Sequence, residues 1–137
     1  MKSRLLGTWR LVSATREIVA TGETLAQFPA GSTGYIQYGS DDRMMVLITA
    51  PNRKPATTDA ERARLQTTML SYAGQYLIEP DAVVHRIDAA WNPALVGKDQ
   101  RRYVTFEGNR LILKGAAGPS AVDGVVARAT ITWEKVG

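Results

Sequence analysis

Hydrophobic and polar residues alternate along most of this chain, which is the pattern of β-strands with one buried face. Residues 83–89 place the sole histidine, His85, on the same face as the apolar side chains. Residues 100–107 likewise place Gln100 and Arg102 on the face that carries a valine and a phenylalanine. The alternation therefore predicts that three polar side chains point into the interior of a sheet protein.

Inward polar side chains need partners, because an unpaired buried imidazole or guanidinium costs several kcal/mol. For His85, two solutions are open: an internal hydrogen bond to a tyrosine, a serine or a backbone carbonyl, or contact with a guest molecule. For Arg102 two solutions are also open, bonds to backbone carbonyls and a tyrosine or contact with a guest, and the guest is favoured, since no acidic residue on the predicted strands shares the inward face. Its five-donor guanidinium would suit a carboxylate, phosphate or carbonyl group.

The strands follow one another in up-and-down order, eight to ten in number, with one α-helix inserted after the fourth. Residues 39–42 predict a hairpin turn, residues 2–6 a short turn of helix and residues 23–27 at most a short strand. Closing such a sheet removes its unpaired edges. The sequence therefore predicts an all-β fold, a closed antiparallel β-barrel, and its length of 137 residues predicts a single domain, 1–137.

The inserted helix is predicted to begin at Thr58, because residues 58–61 form a capping box with acidic residues in the first turn. Its apolar stripe is predicted to consist of Leu65, Met69, Tyr72 and Ala73. Gly74 is the expected C-terminal stop. We expect the helix to pack on the sheet or over its mouth.

A barrel of about eight strands has room for one small ligand. Besides His85, Gln100 and Arg102, the candidate ligand contacts are Tyr38, Tyr76, Ser13 and, nearer a loop, Trp91. Trp9 and Trp133 are expected to plug the closed end. We expect a small, largely apolar ligand with an anionic or carbonyl group, oriented by Arg102 and held mainly by the apolar wall.

Composition and charge exclude several other classes of protein. The net charge of +4 comes from 17 Lys and Arg residues that form no basic stripe, so nucleic acid is not expected as a partner. The longest uncharged apolar run, residues 44–50, is far too short to span a bilayer, and residues 1–9 lack the apolar core of a secretory signal. Together with the absence of cysteine, these features predict a cytoplasmic protein that does not contact membranes.

Six stretches of the chain resemble one protein family. They are residues 7–13 (GTWRLVS), 33–38 (TGYIQY), 72–76 (YAGQY), 84–86 (VHR), 93–97 (PALVG) leading to Gln100 and Arg102, and 133–134 (WE). In this order they are similar to the lipocalin-like proteins of bacteria, small relatives of the calycin barrels. The chain departs from that pattern at Arg86, where a second histidine is common, and at Leu95, where a tryptophan is common. The resemblance implies a barrel with a ligand-holding cavity and no single activity.

Three other functions stay open at this point. His85 could act as acid or base in an isomerase or cyclase, although no catalytic motif is present. It could be the axial ligand of a haem, although neither a cofactor nor a metal site is expected, since no carboxylate shares its face for zinc. Alternatively, the barrel is filled and its surface binds another chain. Outward-facing Met45 and Leu47 leave a homodimer open, with the helix as the competing cover.

Overall fold

A computed structural model describes residues 1–120 and 123–136 of the chain. The strands in that part of the chain are β1 (Gly7–Ile18), β2 (Thr24–Ala26), β3 (Thr33–Tyr38), β4 (Arg43–Thr49), β5 (Met69–Ile78), β6 (Ala82–Ala90), β7 (Asp99–Glu107), β8 (Arg110–Gly115), β9 (Gly118–Pro119) and β10 (Val126–Lys135). The helices there are α1 (Lys2–Leu5), α2 (Asp59–Thr67) and a 3₁₀ turn at Pro93–Leu95. Neither α-helix in these residues is long and apolar enough to cross a membrane.

The sheet closes on itself because β1 pairs with both β3 and β10. Within the described residues the ring contains eight strands: β1, β3, β4, β5, β6, β7, β8 and β10. The short strands β2 and β9 add to β1 and β10 outside this ring. The predicted closed antiparallel barrel is therefore confirmed, as is a helix inserted after the fourth strand.

Alternation of side chains sets the two faces of the wall. In β3 and β4 every second residue is buried, and the partners Tyr38 and Met44 both face the interior. The predicted hairpin turn joins these strands at residues 39–42, where Asp42 has a φ of 64°. Aspartate is one of the few residues other than glycine that visits this left-handed region readily.

The inserted helix starts where predicted but ends earlier. Thr58 caps it, with its hydroxyl accepting a hydrogen bond from the backbone N–H of Glu61 at 3.2 Å. The predicted continuation through Tyr72 is wrong, because β5 begins at Met69 and pairs with β4 over its first seven residues. The predicted core stripe is wrong too, since α2 buries no side chain.

Two irregularities in the strand pairing change which face of the sheet the neighbouring residues occupy. One lies in β1 between Leu11 and Ser13, so Ser13 is exposed and Ala14 is buried instead. The predicted inward position of Ser13 is therefore wrong, because a bulge adds one residue and flips the alternation that follows it. The second lies where β5 meets β6. It leaves Ala89 exposed, again against prediction, and turns Ala90 toward the core.

Helix α1 covers one end of the barrel. Trp9 is 3% exposed, and its indole N–H donates to the carbonyl of Leu5 at 2.8 Å. The guanidinium of Arg4 lies 4.0 Å from the ring centre of Phe106, a cation–π arrangement. Trp133 is also fully buried in the core. This end is therefore closed by packed aromatic residues, as predicted for the two tryptophans.

Candidate functional site

A cavity of about 340 Å³ opens at the end of the barrel opposite α1. The first residues of β5, β7 and β10 and the last of β8 meet there because these strands alternate in direction. The apolar part of the lining consists of Leu70, Leu95, Ala127, Ala129 and Ile131. The polar part includes Tyr72, Gln100 and Arg102. This volume lies in the lower part of the range of small-molecule sites, and the mixture of apolar wall and few polar groups is typical of them.

Two cations of β7 line this cavity: Arg101, which pairs with Glu79 at 2.7 Å, and Arg102. Nη1 of Arg102 donates to the carbonyl of Arg101 at 3.0 Å, and its Nη2 donates to Oε1 of Gln100. Across the ladder Arg102 pairs with Gly115, where a Cβ atom would lie only 3.3 Å from Nη1. The missing side chain at Gly115 thus makes room for the guanidinium to lie across β8.

No carboxylate within the described residues forms an ion pair with Arg102. Asp99 lines the same cavity, but its carboxylate pairs with Arg86 at 3.3 Å on the outer surface. Among the residues that the structure describes, the hydrogen-bond partners of the Arg102 guanidinium are therefore neutral oxygen atoms. The predicted inward facing of Gln100 and Arg102 is confirmed by the alternating half-buried positions of β7.

His85 lies deeper, held between two tyrosines. Its Nε2 is 2.6 Å from the hydroxyl of Tyr38, and its Nδ1 is 2.6 Å from the hydroxyl of Tyr72. Burial, together with the positive charge of Arg102, lowers the pKa of His85 to about 3. The imidazole is therefore neutral at pH 7.

Burial also raises the pKa of both tyrosines above the usual value of a phenol, so each hydroxyl keeps its proton at neutral pH. The three side chains form a hydrogen-bonded row, called here the Tyr–His–Tyr row. Tyr38 is the last residue of β3 and lies toward the closed end, where it pairs with Gly7. Tyr72 lies at the cavity end and separates His85 from the cavity. Of the two solutions open for His85, the structure has the internal network.

The other residues nominated from sequence do not line the cavity. The Tyr76 hydroxyl donates to the carbonyl of Gly39 at 2.6 Å and fixes the β3–β4 turn. The indole N–H of Trp91 donates to the carbonyl of Gln66 at 2.9 Å and holds the end of α2. The Tyr38 hydroxyl contacts His85, and Ser13 is exposed on the outer face.

Tyr72 is the cavity residue that the sequence prediction missed, because it was assigned to the helix. The signal was present: Tyr72, Gly74 and Tyr76 alternate with less buried residues, which is the period of a strand. Gly74 is also needed in this strand, since a Cβ there would lie 1.9 Å from the carbonyl oxygen of Arg86. A glycine that permits close strand approach was thus taken for a helix stop.

Metal chemistry has no support in the arrangement of the side chains. Within residues 1–120 and 123–136, no group of three or more His, Asp and Glu side chains is placed to hold a metal ion. Both ring nitrogens of His85 are already engaged by tyrosine hydroxyls. A ligand in this cavity would instead meet hydrogen-bond donors, among them the guanidinium of Arg102.

A closed eight-stranded barrel with one plugged end and a mixed apolar and polar cavity at the other has the architecture of barrels with room for one small ligand. The family model of the lipocalin-like domain matches residues 6–136, and the chain therefore belongs to the lipocalin-like domain family. Comparison with curated protein sequences found no match. Membership in this family suggests small-molecule binding in general.

Proposed function

We propose that this protein binds a small, largely apolar molecule through a carboxylate or carbonyl oxygen held by Arg102. The observation that carries the proposal is a guanidinium that lines an apolar-walled cavity without a carboxylate partner within the described residues. Gln100 anchors this guanidinium and is itself part of the lining. The anion, or the oxygen of a carbonyl, comes from the ligand.

The apolar wall and Arg102 are expected to contribute to the binding free energy in different ways. Apolar side chains of β5, β10 and the 3₁₀ turn provide the buried surface, at roughly 25 cal/mol per Å² removed from water. Arg102 contributes orientation, because charge-assisted hydrogen bonds are about twice as strong as neutral ones and need defined geometry. A ligand with no oxygen at the Arg102 end would forgo that contribution.

The proposal is tested with three probes of equal chain length: octanoate, 2-octanone and octane. Isothermal titration calorimetry should give the tightest binding for octanoate, weaker binding for 2-octanone and the weakest for octane. The charged contact should separate octanoate from octane by roughly 10- to 100-fold. Equal affinity for all three probes, or binding of none, would contradict the proposal.

The space left by Gly115 gives a second prediction. In Gly115→Ala the new methyl group should push the Arg102 guanidinium aside by a few tenths of an ångström and weaken octanoate binding about fivefold. Stability should stay within about 1 kcal/mol of the wild type, because the φ of Gly115 suits alanine. Calorimetry measures the affinity and urea unfolding the stability.

Gly118→Ala is the matched control, since Gly118 also lines the cavity but its Cβ would meet nothing within 4 Å. This variant should keep the wild-type affinity for octanoate. If both alanine variants bind octanoate equally well, the position of Arg102 has no part in the recognition of the probe.

Two alternatives from the sequence fit the geometry less well. An isomerase or cyclase with His85 as proton donor needs a protonated imidazole at the cavity, whereas His85 is neutral and lies behind Tyr72. A barrel filled by its own side chains conflicts with a cavity of about 340 Å³. Neither alternative is supported by a specific contact.

Haem binding through His85 would require breaking one of the two tyrosine contacts of the imidazole. We therefore expect that titration with haem gives no Soret shift that depends on His85. Absorbance spectra of the wild type and of His85→Gln, recorded with equal haem, should coincide. A Soret band in the wild type that disappears in the variant would show axial ligation and reverse this expectation.

Homodimerisation through the outer face of β4 stays a prediction, as do a cytoplasmic location and the absence of nucleic acid as a partner. Met45 is 61% exposed and Leu47 47% exposed, so α2 does not cover them. Their exposure leaves an apolar face available to a second copy of the chain. Sedimentation would compare the mass of the wild type in solution with that of the Met45→Glu variant.

A further inference from the structure

The Tyr–His–Tyr row contains one more hydroxyl hydrogen than its own bonds can use. A neutral imidazole carries one N–H and one free lone pair, and each tyrosine carries one O–H. Three hydrogens are thus available for the two contacts of 2.6 Å on either side of His85. One tyrosine donates to the ring, the other accepts from the ring, and the accepting tyrosine keeps a hydrogen to donate elsewhere.

The surroundings of the two hydroxyls decide which tyrosine keeps the spare hydrogen. Tyr38 is 2% exposed, and its hydroxyl has no hydrogen-bond partner in residues 1–120 and 123–136 other than His85. The ring of Tyr76 packs against it edge-on, with the two ring centres 5.1 Å apart. A spare hydrogen on Tyr38 would therefore be buried without an acceptor, which is costly.

Tyr72 differs from Tyr38, because it lines the cavity and is 7% exposed. A hydrogen left on its oxygen can be given to a solvent molecule or to a ligand. The lower-cost arrangement therefore has Tyr38 donating to Nε2, the imidazole hydrogen on Nδ1, and Nδ1–H donating to the Tyr72 oxygen. The Tyr72 O–H is then directed away from His85, into the cavity.

We propose that Tyr72 is the second oxygen-recognising group of the cavity, a hydrogen-bond donor whose direction is set by the His85 imidazole and, through it, by Tyr38. This inference rests on the proposed function, since the acceptor it serves is the ligand oxygen held by Arg102. Tyr72 and Arg102 both line the cavity, and in this proposal both donate to the same ligand oxygen. His85 and Tyr38 are positioning residues that do not touch the ligand.

A specificity follows from this arrangement. Arg102 has only donors, and Tyr72 already accepts one hydrogen bond from Nδ1–H, so both present donors to the ligand. The cavity should therefore take carboxylates, ketones and other oxygen acceptors. A head group that can only donate, such as an ammonium, would meet both the positive charge of Arg102 and the hydrogen of Tyr72. Octylamine in its protonated form should bind at least tenfold more weakly than octanoate.

The arrangement of hydrogens can be measured without a ligand. His85 is the sole histidine, so the two-bond ¹H–¹⁵N correlation spectrum of uniformly ¹⁵N-labelled protein contains one imidazole spin system. We expect a protonated Nδ1 and an unprotonated Nε2 at pH 7. In Tyr38→Phe the donor to Nε2 is lost, and a population with protonated Nε2 should appear. A wild-type spectrum with protonated Nε2 would overturn the inference whatever the protein binds.

The ligand contact is tested by Tyr72→Phe, with Tyr76→Phe as the matched control. Tyr76 also carries a buried hydroxyl-bearing ring, but its O–H goes to Gly39 and it does not line the cavity. Calorimetry should show octanoate affinity reduced roughly tenfold in Tyr72→Phe, 2-octanone about threefold, and octane unchanged within about twofold. Tyr76→Phe should bind all three probes like the wild type.

Failure of this inference differs from failure of the proposed function. Wild-type protein that prefers octanoate, combined with a Tyr72→Phe variant of unchanged affinity, would remove Tyr72 from recognition and leave the role of Arg102 standing. Loss of affinity for octane along with octanoate would indicate general damage to the cavity and would also count against a specific donor role. Absence of binding by octanoate and 2-octanone in the wild type would overturn both proposals.

Discussion

Replacing Arg102 with leucine is expected to weaken octanoate binding by roughly 10- to 100-fold. The variant removes the charge that meets the carboxylate and leaves a shorter apolar side chain on the wall. Octane affinity should stay the same or rise slightly, because the cavity becomes less polar. Calorimetry with the matched probes measures both effects, and the difference between octanoate and octane reports the loss of the charged contact alone.

Two comparison variants make this result interpretable. Arg10→Leu removes the same charge from the outer face, where Arg10 is 56% exposed and 3.7 Å from Glu134, and it should bind octanoate normally. Arg102→Lys keeps the charge but loses the planar fork, so an intermediate affinity is expected. An Arg102→Leu variant with wild-type affinity for octanoate would show that the guanidinium does not hold the ligand oxygen.

Alternation of residues was enough to predict the barrel because each wall strand has one buried and one exposed face. In β7 the pattern placed Gln100 and Arg102 inward, and the structure has them in the cavity lining. The alternation of inward and outward side chains is a local property, so it holds wherever the pairing between strands is regular. Closure of the sheet followed from the number and order of strands, which the sequence also displays.

The alternation gave wrong predictions where the pairing between strands is irregular. Ser13 was predicted to face inward, but the bulge between Leu11 and Ser13 turned it out to solvent. Such a bulge depends on how β1 is shared between β3 and β10, which is a tertiary property. Tyr72 was missed for a related reason. A short apolar segment after a capped helix fits both the helical period of 3.6 residues and the strand period of 2, and pairing with β4 is what selects the strand.

The partners of His85 were also beyond the reach of the sequence. Its inward direction was predicted, yet Tyr38 and Tyr72 come from β3 and β5, which lie far from each other along the chain. The alternation shows which face of the sheet a residue occupies. It does not show which residues of different strands lie at the same position along the barrel axis. The three side chains meet only because the registers of β3, β4, β5 and β6 bring them to one level.

Acid is expected to destabilise this protein through His85. Burial lowers the pKa of the folded-state imidazole to about 3, against an ordinary value of 6.5. Between these two values the unfolded chain binds a proton that the folded protein does not, so the free energy of unfolding falls as the pH falls. The slope approaches about 1.4 kcal/mol per pH unit, and the full loss approaches roughly 5 kcal/mol. This is a large part of the stability of an ordinary domain.

Urea unfolding followed by tryptophan fluorescence at pH 7, 6, 5 and 4.5 measures this loss at pH values no lower than the ordinary pKa of aspartate and glutamate. The matched variant is His85→Gln, which has a donor and an acceptor but no titration, and its 13 acidic residues are those of the wild type. Glutamine should lower stability at pH 7, because it cannot span both tyrosines equally well. The free energy of unfolding of this variant should also depend less on pH than that of the wild type. The difference in unfolding free energy between the two proteins should therefore shrink by roughly 2–3 kcal/mol by pH 4.5. Of the groups around the ring, Tyr38 and Tyr72 both have a raised pKa and stay protonated throughout this range, so neither of them produces the slope. Parallel curves for the two proteins would mean that His85 takes up its proton in the folded state, with the Tyr–His–Tyr row opening to admit it.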